Sequence, residues 1–287
     1  MPLNNALVKK IVKDALIEDA AGRDITSLSF IPKDVVVDAC IVAKEDGVVC
    51  GVSVAEEVFK SFDRLTVVSK LKKDANSVHY GEKVLIIKGQ ARSILSCERV
   101  ALNFISYLSG ISTQTHAAVS KAAKKGIRIL DTRKTTPLLR VFEKYAVLTG
   151  GGKNHRLDLS DQYLVKENHL SVIDRTCGHE VFLWRKKSVP FEIEVQSLDE
   201  LKRALVCQPD IVMLDNFSPA DIRFAISLLK KIFPDRKKRP MIELSGGINL
   251  ENISKYLISG VDFISLGSLT HSARALDFSL DILKVKS

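Results

Sequence analysis

Residues 130–169 read LDTRKTTPLLRVFEKYAVLTGGGKNHRLDLSDQYLVKENH. In this segment, cationic side chains stand close to the ends of short apolar runs. The cations or potential cations are Arg133, Lys134, His155, Arg156 and Lys166. An arginine holds a carboxylate or phosphate by two parallel hydrogen bonds, and a lysine acts as a compact point charge. Gathered in one pocket, these side chains would bind a substrate that carries several negative charges.

Around this segment, short apolar strands alternate with helical stretches, which predicts a parallel sheet or a barrel. The predicted strands are residues 127–130, 163–165, 191–195, 211–214, 241–244 and 261–266. The predicted helices are about 112–125, 138–147, 197–207, 218–232, 250–259 and 269–284.

Charged residues or glycine–serine pairs stand at the ends of six of these strands. They are Asp131 to Lys134, Lys166, Glu194, Asp215, Ser245 to Gly247, and Gly267 with Ser268. In a β/α barrel the carboxyl ends of all strands share one mouth, where the active site lies. A doubly wound sheet gathers such ends only around its switch point, so we favour the barrel.

The chain before residue 110 has a different, α+β pattern with mainly antiparallel pairing. Apolar, β-branched runs predict strands within residues 35–51 and 65–90, and Asp46-Gly47 predicts a hairpin turn. Helices are predicted over residues 6–17, 54–62 and 94–109, the last one ended by Gly110.

Composition is that of a globular protein, with 46% hydrophobic and 27% charged residues. The five cysteines are scattered and form no C-x-x-C pair, which favours a reducing cytosol over a disulfide framework or a zinc site. No apolar run approaches the roughly 20 residues of a membrane span, and the first residues do not resemble a signal peptide.

The formal net charge of +9 is compatible with nucleic acid, a membrane surface or small anionic substrates. The densest basic run, Arg236-Lys237-Lys238-Arg239, is predicted to be a solvated surface loop. Aromatic residues are 6% of the chain and are not interleaved with the basic ones, so nucleic-acid binding is a weak alternative.

Motifs along almost the whole chain resemble those of the quinolinate phosphoribosyltransferases, also called carboxylating nicotinate-nucleotide pyrophosphorylases. One motif alone would be weak, but the set in this order is specific. Leu138 is a departure, because many members have glycine after Thr-Thr-Pro. The matching motifs are residues 22–27, 98–103, 131–136, 150–156, 166–169, 192–195, 213–216, 243–248 and 265–271.

The resemblance implies an N-terminal open-faced α/β sandwich over residues 1–110 and a TIM-like β/α barrel of about seven strands over residues 111–268. A C-terminal helix at about 269–287 is expected to pack back on the first domain. The resemblance also implies a cytoplasmic homodimer with active sites shared between chains, possibly assembled further, and no membrane or nucleic-acid partner.

The reaction that the resemblance implies is a pentosyl transfer in NAD biosynthesis. Quinolinate and phosphoribosyl pyrophosphate would give nicotinate mononucleotide, pyrophosphate and CO₂, with Mg²⁺ as the cofactor. The quinolinate-binding residues by resemblance are Arg99 from the partner chain, Thr132, Arg133, His155, Arg156 and Lys166. Those for phosphoribosyl pyrophosphate are Lys134, Asn154, Lys166, Glu194, Asp215, Ser245, Gly246, Gly247, Gly267, Ser268 and His271. The catalytic residues would be Lys134, Lys166, Glu194 and Asp215.

Residue chemistry agrees with these assignments. Quinolinate carries two carboxylates and needs cations, and glycine turns that lead into helices cradle phosphate with backbone N–H groups. Glu194 and Asp215 offer hard oxygens to Mg²⁺, partly through water and substrate. We expect Glu192 on the opposite strand face from Glu194 and leave it out of the site.

Two other functions stay open. One is a relative of the same fold that acts on another substrate, such as a nicotinate-using transferase or a paralog associated with molybdenum transport. The other is a basic binding protein without catalysis, which salt-dependent DNA binding without turnover would support. The full cation set, with Arg99, favours a dicarboxylate substrate, and Lys166, Glu194 and Asp215 favour catalysis.

Overall fold

The computed structural model describes residues 3–176, 182 and 185–286, which form two units. The first unit comprises Met1–His116, Val141–Gly151 and Ala273–Ser287, and the second comprises Ala117–Arg140 and Gly152–Ser272. Among the described residues, none of the helices combines the length and the apolar character that a membrane span requires.

An antiparallel sheet forms the first unit. Its strands are β1 (Val36–Ala43), β3 (Val67–Lys70), β5 (Lys83–Gln90) and β12 (Phe278–Lys286), in the order β12-β1-β5-β3. A separate pair consists of β2 (Gly47–Val48) and β4 (Ser77–Val78). The helices of the first unit are α1 (Asn5–Glu18), α2 (Ile25–Phe30), α3 (Val52–Phe62), α4 (Ala91–Ala122), whose residues after His116 belong to the second unit, and α5 (Arg140–Thr149). The predicted α+β pattern with antiparallel pairing is confirmed.

The hairpin predicted at Asp46-Gly47 is wrong. Strand β1 pairs with β5 and β12, and Gly47 begins β2, which pairs with β4. The Asp46 carboxylate accepts hydrogen bonds from the backbone N–H of Tyr80, at 2.9 Å, and pairs with His79 Nδ1 at 3.0 Å. Contacts with a segment more than 30 residues away therefore decide this turn.

The helix predicted to end at Gly110 continues to Ala122 as α4. The reason for the glycine is a close approach of two backbones. A Cβ atom on Gly110 would lie 2.1 Å from the carbonyl oxygen of Arg274. Gly110 therefore makes room for the chain that leads into β12, and it does not stop the helix.

The predicted C-terminal helix is also wrong. Beyond the single turn of α9 (Ser268–His271), the chain forms β12, which pairs antiparallel with β1 from Ala43↔Phe278 to Val36↔Lys286. Pairing along the edge of β1 satisfies the backbone of β12 although most of its side chains are exposed. Tertiary pairing of this kind overrides local preference.

Six parallel strands form the sheet of the second unit, which confirms all six strand predictions. They are β6 (Arg128–Leu130), β7 (Tyr163–Val165), β8 (Phe191–Val195), β9 (Ile211–Asp215), β10 (Met241–Ser245) and β11 (Phe263–Ser265), in the order β6-β11-β10-β9-β8-β7. Beyond β6, a single parallel bridge joins Leu130 to Lys153. This bridge occupies the place of a seventh strand.

The sheet curls into a barrel, as two contacts show. In sheet order, Lys153 stands five positions away from β8. Because neighbouring strands are about 4.8 Å apart, a flat sheet would separate them by roughly 24 Å. Yet His155 Nε2 lies 3.0 Å from Glu192 Oε2 on β8. Arg156 Nη1 also donates to the carbonyl oxygen of Gln162, just before β7, which brings the two sheet edges together.

The helices of the second unit are α6 (Glu167–Thr176), α7 (Leu198–Val206), α8 (Pro219–Ile232) and α9. Of these, α7 and α8 confirm the predictions at 197–207 and 218–232, whereas α6 was not predicted and α9 is a single turn. The helix predicted at 250–259 is only a 3₁₀ turn, Ile253–Lys255. There the Asn249 side chain accepts from the N–H groups of Glu251 and Asn252, and such side-chain bonds compete with a helix.

The basic run 236–239 is a 3₁₀ turn at the surface, with three exposed residues, as predicted. Arg236 Nη2 pairs with Asp262 Oδ1 at 2.5 Å, and Arg239 donates to the carbonyl oxygen of Phe233. Free thiols are present at Cys40, Cys50, Cys97 and Cys207. Cys177 lies outside the described residues.

Candidate active site

The predicted site residues of the second unit lie at the carboxyl edge of its parallel sheet. Asp131, Lys166 and Gly267 follow strands β6, β7 and β11, and Glu194, Asp215 and Ser245 lie at or next to the ends of β8, β9 and β10. Because all six strands are parallel, these ends share one edge.

Asp131 holds the segment that carries the next cations. It is fully buried, and its carboxylate accepts hydrogen bonds from the backbone N–H of His155, at 2.9 Å, and from Asn154 Nδ2, at 2.5 Å. A buried carboxylate with such partners is satisfied and fixes the backbone that it contacts. Asn154, predicted to bind phosphoribosyl pyrophosphate, is thus engaged with Asp131.

Both ring nitrogens of His155 are engaged within the chain. Nδ1 accepts from the backbone N–H of Arg156 at 2.8 Å, so the neutral ring carries its proton on Nε2. Nε2 lies 3.0 Å from Glu192 Oε2 and 3.6 Å from Glu243 Oε1. The side chain is only 7% exposed. His155 therefore turns its ring towards two carboxyl groups.

The prediction that Glu192 lies on the opposite strand face from Glu194 is wrong. Residues two apart in a strand lie on the same face, so Glu192 and Glu194 share a face of β8. Glu192 is fully buried and also accepts from Gln162 Nε2 at 2.7 Å. The sequence does carry the signal, since acidic residues alternate with apolar ones in Phe-Glu-Ile-Glu-Val.

Glu243 is a second buried carboxyl group that the sequence reasoning missed. The hydroxyl of Ser265 donates to its Oε1. Burial, and then the nearby Glu192, raise the pKa of Glu243, and burial also raises the pKa of Glu192. The sequence signal for Glu243 is a glutamate inside an otherwise apolar parallel strand. Together with His155 these residues form a cluster whose potential ligand atoms lie within 4.8 Å of one another.

Arg133 and Arg156 are close enough for their like charges to act on each other. Burial, followed by the charge of Arg133, lowers the pKa of Arg156. The Nε of Arg133 is buried and has no hydrogen-bond partner. A buried, unpaired guanidinium N–H calls for a ligand, because an unsatisfied buried donor is costly. The arrangement can bind an anion.

Lys166 and Glu194 form an ion pair in which the lysine side chain is 43% exposed and the glutamate side chain is 12% exposed. On the neighbouring strand, Asp215 Oδ2 accepts from Asn216 Nδ2 at 2.8 Å. Both carboxylates belong to the carboxyl ends of adjacent strands, and both are half-buried. Their hard oxygens fit a divalent cation such as Mg²⁺.

Lys134 and His271 meet at Gly267. A Cβ atom on Gly267 would lie 3.1 Å from His271 Nε2 and 3.2 Å from Lys134 Cδ. The buried hydroxyl of Thr270 donates to the carbonyl oxygen of Lys134 at 2.7 Å and ties the two loops together. Two residues predicted to lie near the pyrophosphate are therefore neighbours.

The turn after β10 depends on two glycines in left-handed conformations. Gly246 has φ +93° and Gly247 has φ +61°. A Cβ on Gly246 would lie 2.3 Å from Asn216 Oδ1, whereas one on Gly247 would meet nothing within 4 Å. The backbone of Gly247 is thus open to a ligand, and Gly246 allows the turn to pack against Asn216.

Three further predicted site residues lie in the loop after β6, at the start of α9 and on α4. Thr132 Oγ1 accepts from the backbone N–H of Lys134 at 3.0 Å, so it shapes the loop after β6. Ser268 is the first residue of α9 and is half-buried. Arg99 belongs to the first unit, where it is exposed on α4.

A barrel with cations, acids and glycine turns at its strand ends defines a β/α-barrel enzyme that acts on small anions. The family model "Quinolinate phosphoribosyl transferase, C-terminal domain" matches residues 111–281, and the corresponding N-terminal model matches residues 24–109. The chain belongs to the quinolinate phosphoribosyltransferase family.

Individual relatives agree over their whole length. A probable nicotinate-nucleotide pyrophosphorylase [carboxylating] of Methanocaldococcus jannaschii is 41% identical, with 96% of this chain and 97% of the relative covered. The Bacillus subtilis protein of the same name is 38% identical over 98% and 95%. A solved nicotinate-nucleotide pyrophosphorylase of Francisella tularensis has a TM-score of 0.88 at 38% identity, covering 98% of both chains.

Proposed function

We propose that this protein transfers the phosphoribosyl group of phosphoribosyl pyrophosphate to quinolinate, with loss of CO₂, to give nicotinate mononucleotide for NAD biosynthesis. The observation that carries the proposal is the buried Nε of Arg133, which has no hydrogen-bond partner and lies in the charge field that Arg133 shares with Arg156. A planar dicarboxylate would supply the acceptors that this pair lacks. The names of the full-length relatives support the same reaction.

For quinolinate, Arg133 and Arg156 would bind carboxylates, with Lys166 and the Thr132 hydroxyl at the same strand edge. His155 would contribute through its neighbour Arg156, because both of its ring nitrogens are engaged within the chain. Several cations are needed, since each carboxylate must exchange its water for protein donors.

For phosphoribosyl pyrophosphate, the turns at Ser245–Gly247 and Gly267–Ser268 would cradle the 5-phosphate. The open backbone of Gly247 supports this assignment. Lys134 and His271, which adjoin each other at Gly267, would bind the pyrophosphate. Asn154, which Asp131 holds in place, would complete the site.

We infer that Glu194 and Asp215 hold Mg²⁺, partly through water and substrate oxygens, and contact the ribose hydroxyls. Bound Mg²⁺ would offset the negative charge of the departing pyrophosphate. The two carboxylates would also stabilise positive charge that grows on the ribose as the bond to pyrophosphate breaks.

In the reaction, the ring nitrogen of quinolinate bonds to C1 of the ribose while the bond from C1 to pyrophosphate breaks. Lys134 would stabilise the leaving group by its charge. Lys166, which pairs with Glu194, would exchange that partner for substrate. When the adjacent carboxylate departs as CO₂, its bonding electron pair stays on the ring carbon as a carbanion. The positive charge of the quaternary nitrogen beside it stabilises this carbanion, which then takes up a proton.

We further propose a homodimer in which Arg99 completes the partner's quinolinate site, with higher assembly possible, in a cytoplasmic setting. Arg99 is exposed on α4, and the first unit also exposes large apolar side chains: Ile25 at 80%, Phe30 at 79% and Leu65 at 82%. Exposed apolar surface of this kind is typical of an interface.

The experiment is to incubate the protein with phosphoribosyl pyrophosphate, Mg²⁺ and quinolinate, and in parallel with nicotinate. Product is followed by absorbance and mass. Nicotinate mononucleotide from quinolinate, with release of CO₂, is the expected result. Product only from nicotinate would move the function to a related transferase of the same fold, and product from neither would contradict catalysis.

A further inference from the structure

The surroundings of Arg156 form a closed ring of hydrogen bonds that meets at Glu192. The backbone N–H of Arg156 donates to His155 Nδ1, and His155 Nε2 lies 3.0 Å from Glu192 Oε2. The guanidinium Nη1 of Arg156 donates to the carbonyl oxygen of Gln162 at 3.2 Å, and Gln162 Nε2 donates to the same Oε2 at 2.7 Å. One oxygen atom thus anchors both ends of Arg156.

We propose that Glu192 is a positioning residue that presents Arg156 to a quinolinate carboxylate by holding His155 and Gln162. The proposal rests on Arg156 as a quinolinate-binding residue. It deepens the proposed function by naming a residue outside the predicted site that would govern the affinity for the dicarboxylate substrate.

Burial explains why Glu192 can do this. Glu192 is fully buried, and so is Glu243, which lies 3.6 Å from the same ring nitrogen, His155 Nε2, and accepts from Ser265. A fully buried carboxyl group has its rotamer fixed by its packing, so the donors that it accepts are fixed as well. An exposed glutamate would be mobile and could not orient a neighbouring loop.

The location of Gln162 gives Glu192 a second role. Arg156 lies just beyond the bridge at Lys153, and Gln162 immediately precedes β7. These are the two edges that must meet to close the barrel. The oxygen of Glu192 therefore fixes the closure of the sheet and the orientation of Arg156 with the same two hydrogen bonds.

The side-chain chemistry predicts which substitutions preserve the arrangement. In Glu192→Gln, the amide oxygen retains two lone pairs and can still accept from both His155 and Gln162. In Glu192→Ala both acceptors are lost. In Gln162→Ala the backbone carbonyl that accepts from Arg156 remains, and only the hydrogen bond from Gln162 Nε2 to Glu192 is lost. The side chain of Gln162 is half-buried, so that change is the gentler one for folding.

A matched control comes from the opposite end of the same sheet. Asp262 accepts from the backbone N–H of Ile242, at the start of β10, and pairs with Arg236. Asp262→Ala also removes a carboxylate that holds the sheet, but it does so away from the strand ends that carry the site. A merely structural effect would appear in Asp262→Ala as well.

The experiment measures the KM for each substrate, kcat and thermal unfolding for these variants. Glu192→Ala and Gln162→Ala are expected to raise the KM for quinolinate about tenfold or more, as loss of a charge-assisted hydrogen bond does. The KM for phosphoribosyl pyrophosphate should stay within about twofold. Glu192→Gln should restore most of the affinity, and Asp262→Ala should leave both KM values near wild type.

A double-mutant cycle with Arg156→Lys separates this inference from the proposed site. If Glu192 acts through Arg156, Glu192→Ala should add little to the quinolinate KM in the Arg156→Lys background. Full additivity of the two effects on the quinolinate KM would overturn the inference and leave the proposed site intact. The same holds if Arg156→Lys raises the quinolinate KM but Glu192→Ala and Gln162→Ala leave it unchanged. An unchanged quinolinate KM in Arg156→Lys overturns both the inference and the assignment of Arg156. If Glu192→Ala does not fold, Gln162→Ala and its cycle decide the outcome.

Discussion

Replacing Gly246 by alanine is expected to damage the protein more than the same change at the adjacent Gly247. Both glycines lie in left-handed conformations, at φ +93° and φ +61°, where alanine is strained. They differ in the space around them. A Cβ on Gly246 would lie 2.3 Å from Asn216 Oδ1 and 2.6 Å from the Asn216 backbone nitrogen, and one on Gly247 would meet nothing within 4 Å.

The size of the effect can be worked out from this difference. A left-handed alanine costs about 1–2 kcal/mol, which is the whole expected effect for Gly247→Ala. Gly246→Ala adds overpacking of about 1–3 kcal/mol, for a total of about 2–5 kcal/mol. The Asn216 backbone cannot retreat freely, because its N–H donates to the carbonyl oxygen of Ser245 and its own φ is +58°.

The assay is thermal unfolding together with steady-state kinetics. A loss of 1 kcal/mol lowers the Tm by roughly 2–4 °C for a domain of this size. Because Asn216 also holds Asp215, Gly246→Ala should lower kcat as well as raise the KM for phosphoribosyl pyrophosphate. Gly247→Ala should act mainly on that KM. Equal loss of stability in the two variants, or a larger loss in Gly247→Ala, would refute the packing argument.

Four further predictions concern the site and the fold. Lys166→Ala should lower kcat by about 10²–10³-fold and weaken quinolinate binding less, because a charge beside both substrates serves the transition state; unchanged turnover with a raised quinolinate KM would contradict this. Gly110→Ala should destabilise the protein by about 1–3 kcal/mol in urea unfolding, because its Cβ would meet the Arg274 carbonyl, although alanine gains about 1 kcal/mol in helix propensity. The control is Gly22→Ala, where the added Cβ has open space around it and should not destabilise the protein. Removal of divalent cations with EDTA should abolish turnover, and Mg²⁺ should restore it; full activity in EDTA would exclude the proposed role of the cation. Since burial raises the pKa of Glu243 above its ordinary 4.5, the folded state binds that proton more tightly than the unfolded state, and stability should fall as the pH rises above 4.5. Glu243→Gln should flatten this dependence between about pH 5 and about pH 8, and an unchanged slope would argue against it.

Much of the second unit follows from local sequence pattern. Short β-branched runs between amphipathic helices predict all six parallel strands, and the residues at their ends predict where the site lies. These features are local, because the period of hydrophobic residues and the residue after a strand can both be read along the chain. The helix starts at Ser197 and Ser218 are also local, since each side chain caps its own helix.

Tertiary structure alone decided the features that depend on distant partners. Gly110 has the sequence character of a helix end, but the approach of the Arg274 backbone explains it. The C-terminal segment becomes a strand because an edge of β1 is available to pair with it. The turn at Asp46 is set by a segment around residue 80. No local pattern contains these partners.

The site shows the same division. The sequence by itself determined which cations and acids stand at the strand ends, because chemistry and spacing are written in the chain. Only the curling of the sheet, which brings His155 to Glu192 across five strand positions, decided that two buried glutamates belong to the same cluster. Closure of a barrel joins residues far apart in sequence, and the hydrogen bonds that result exist only once the edges have met.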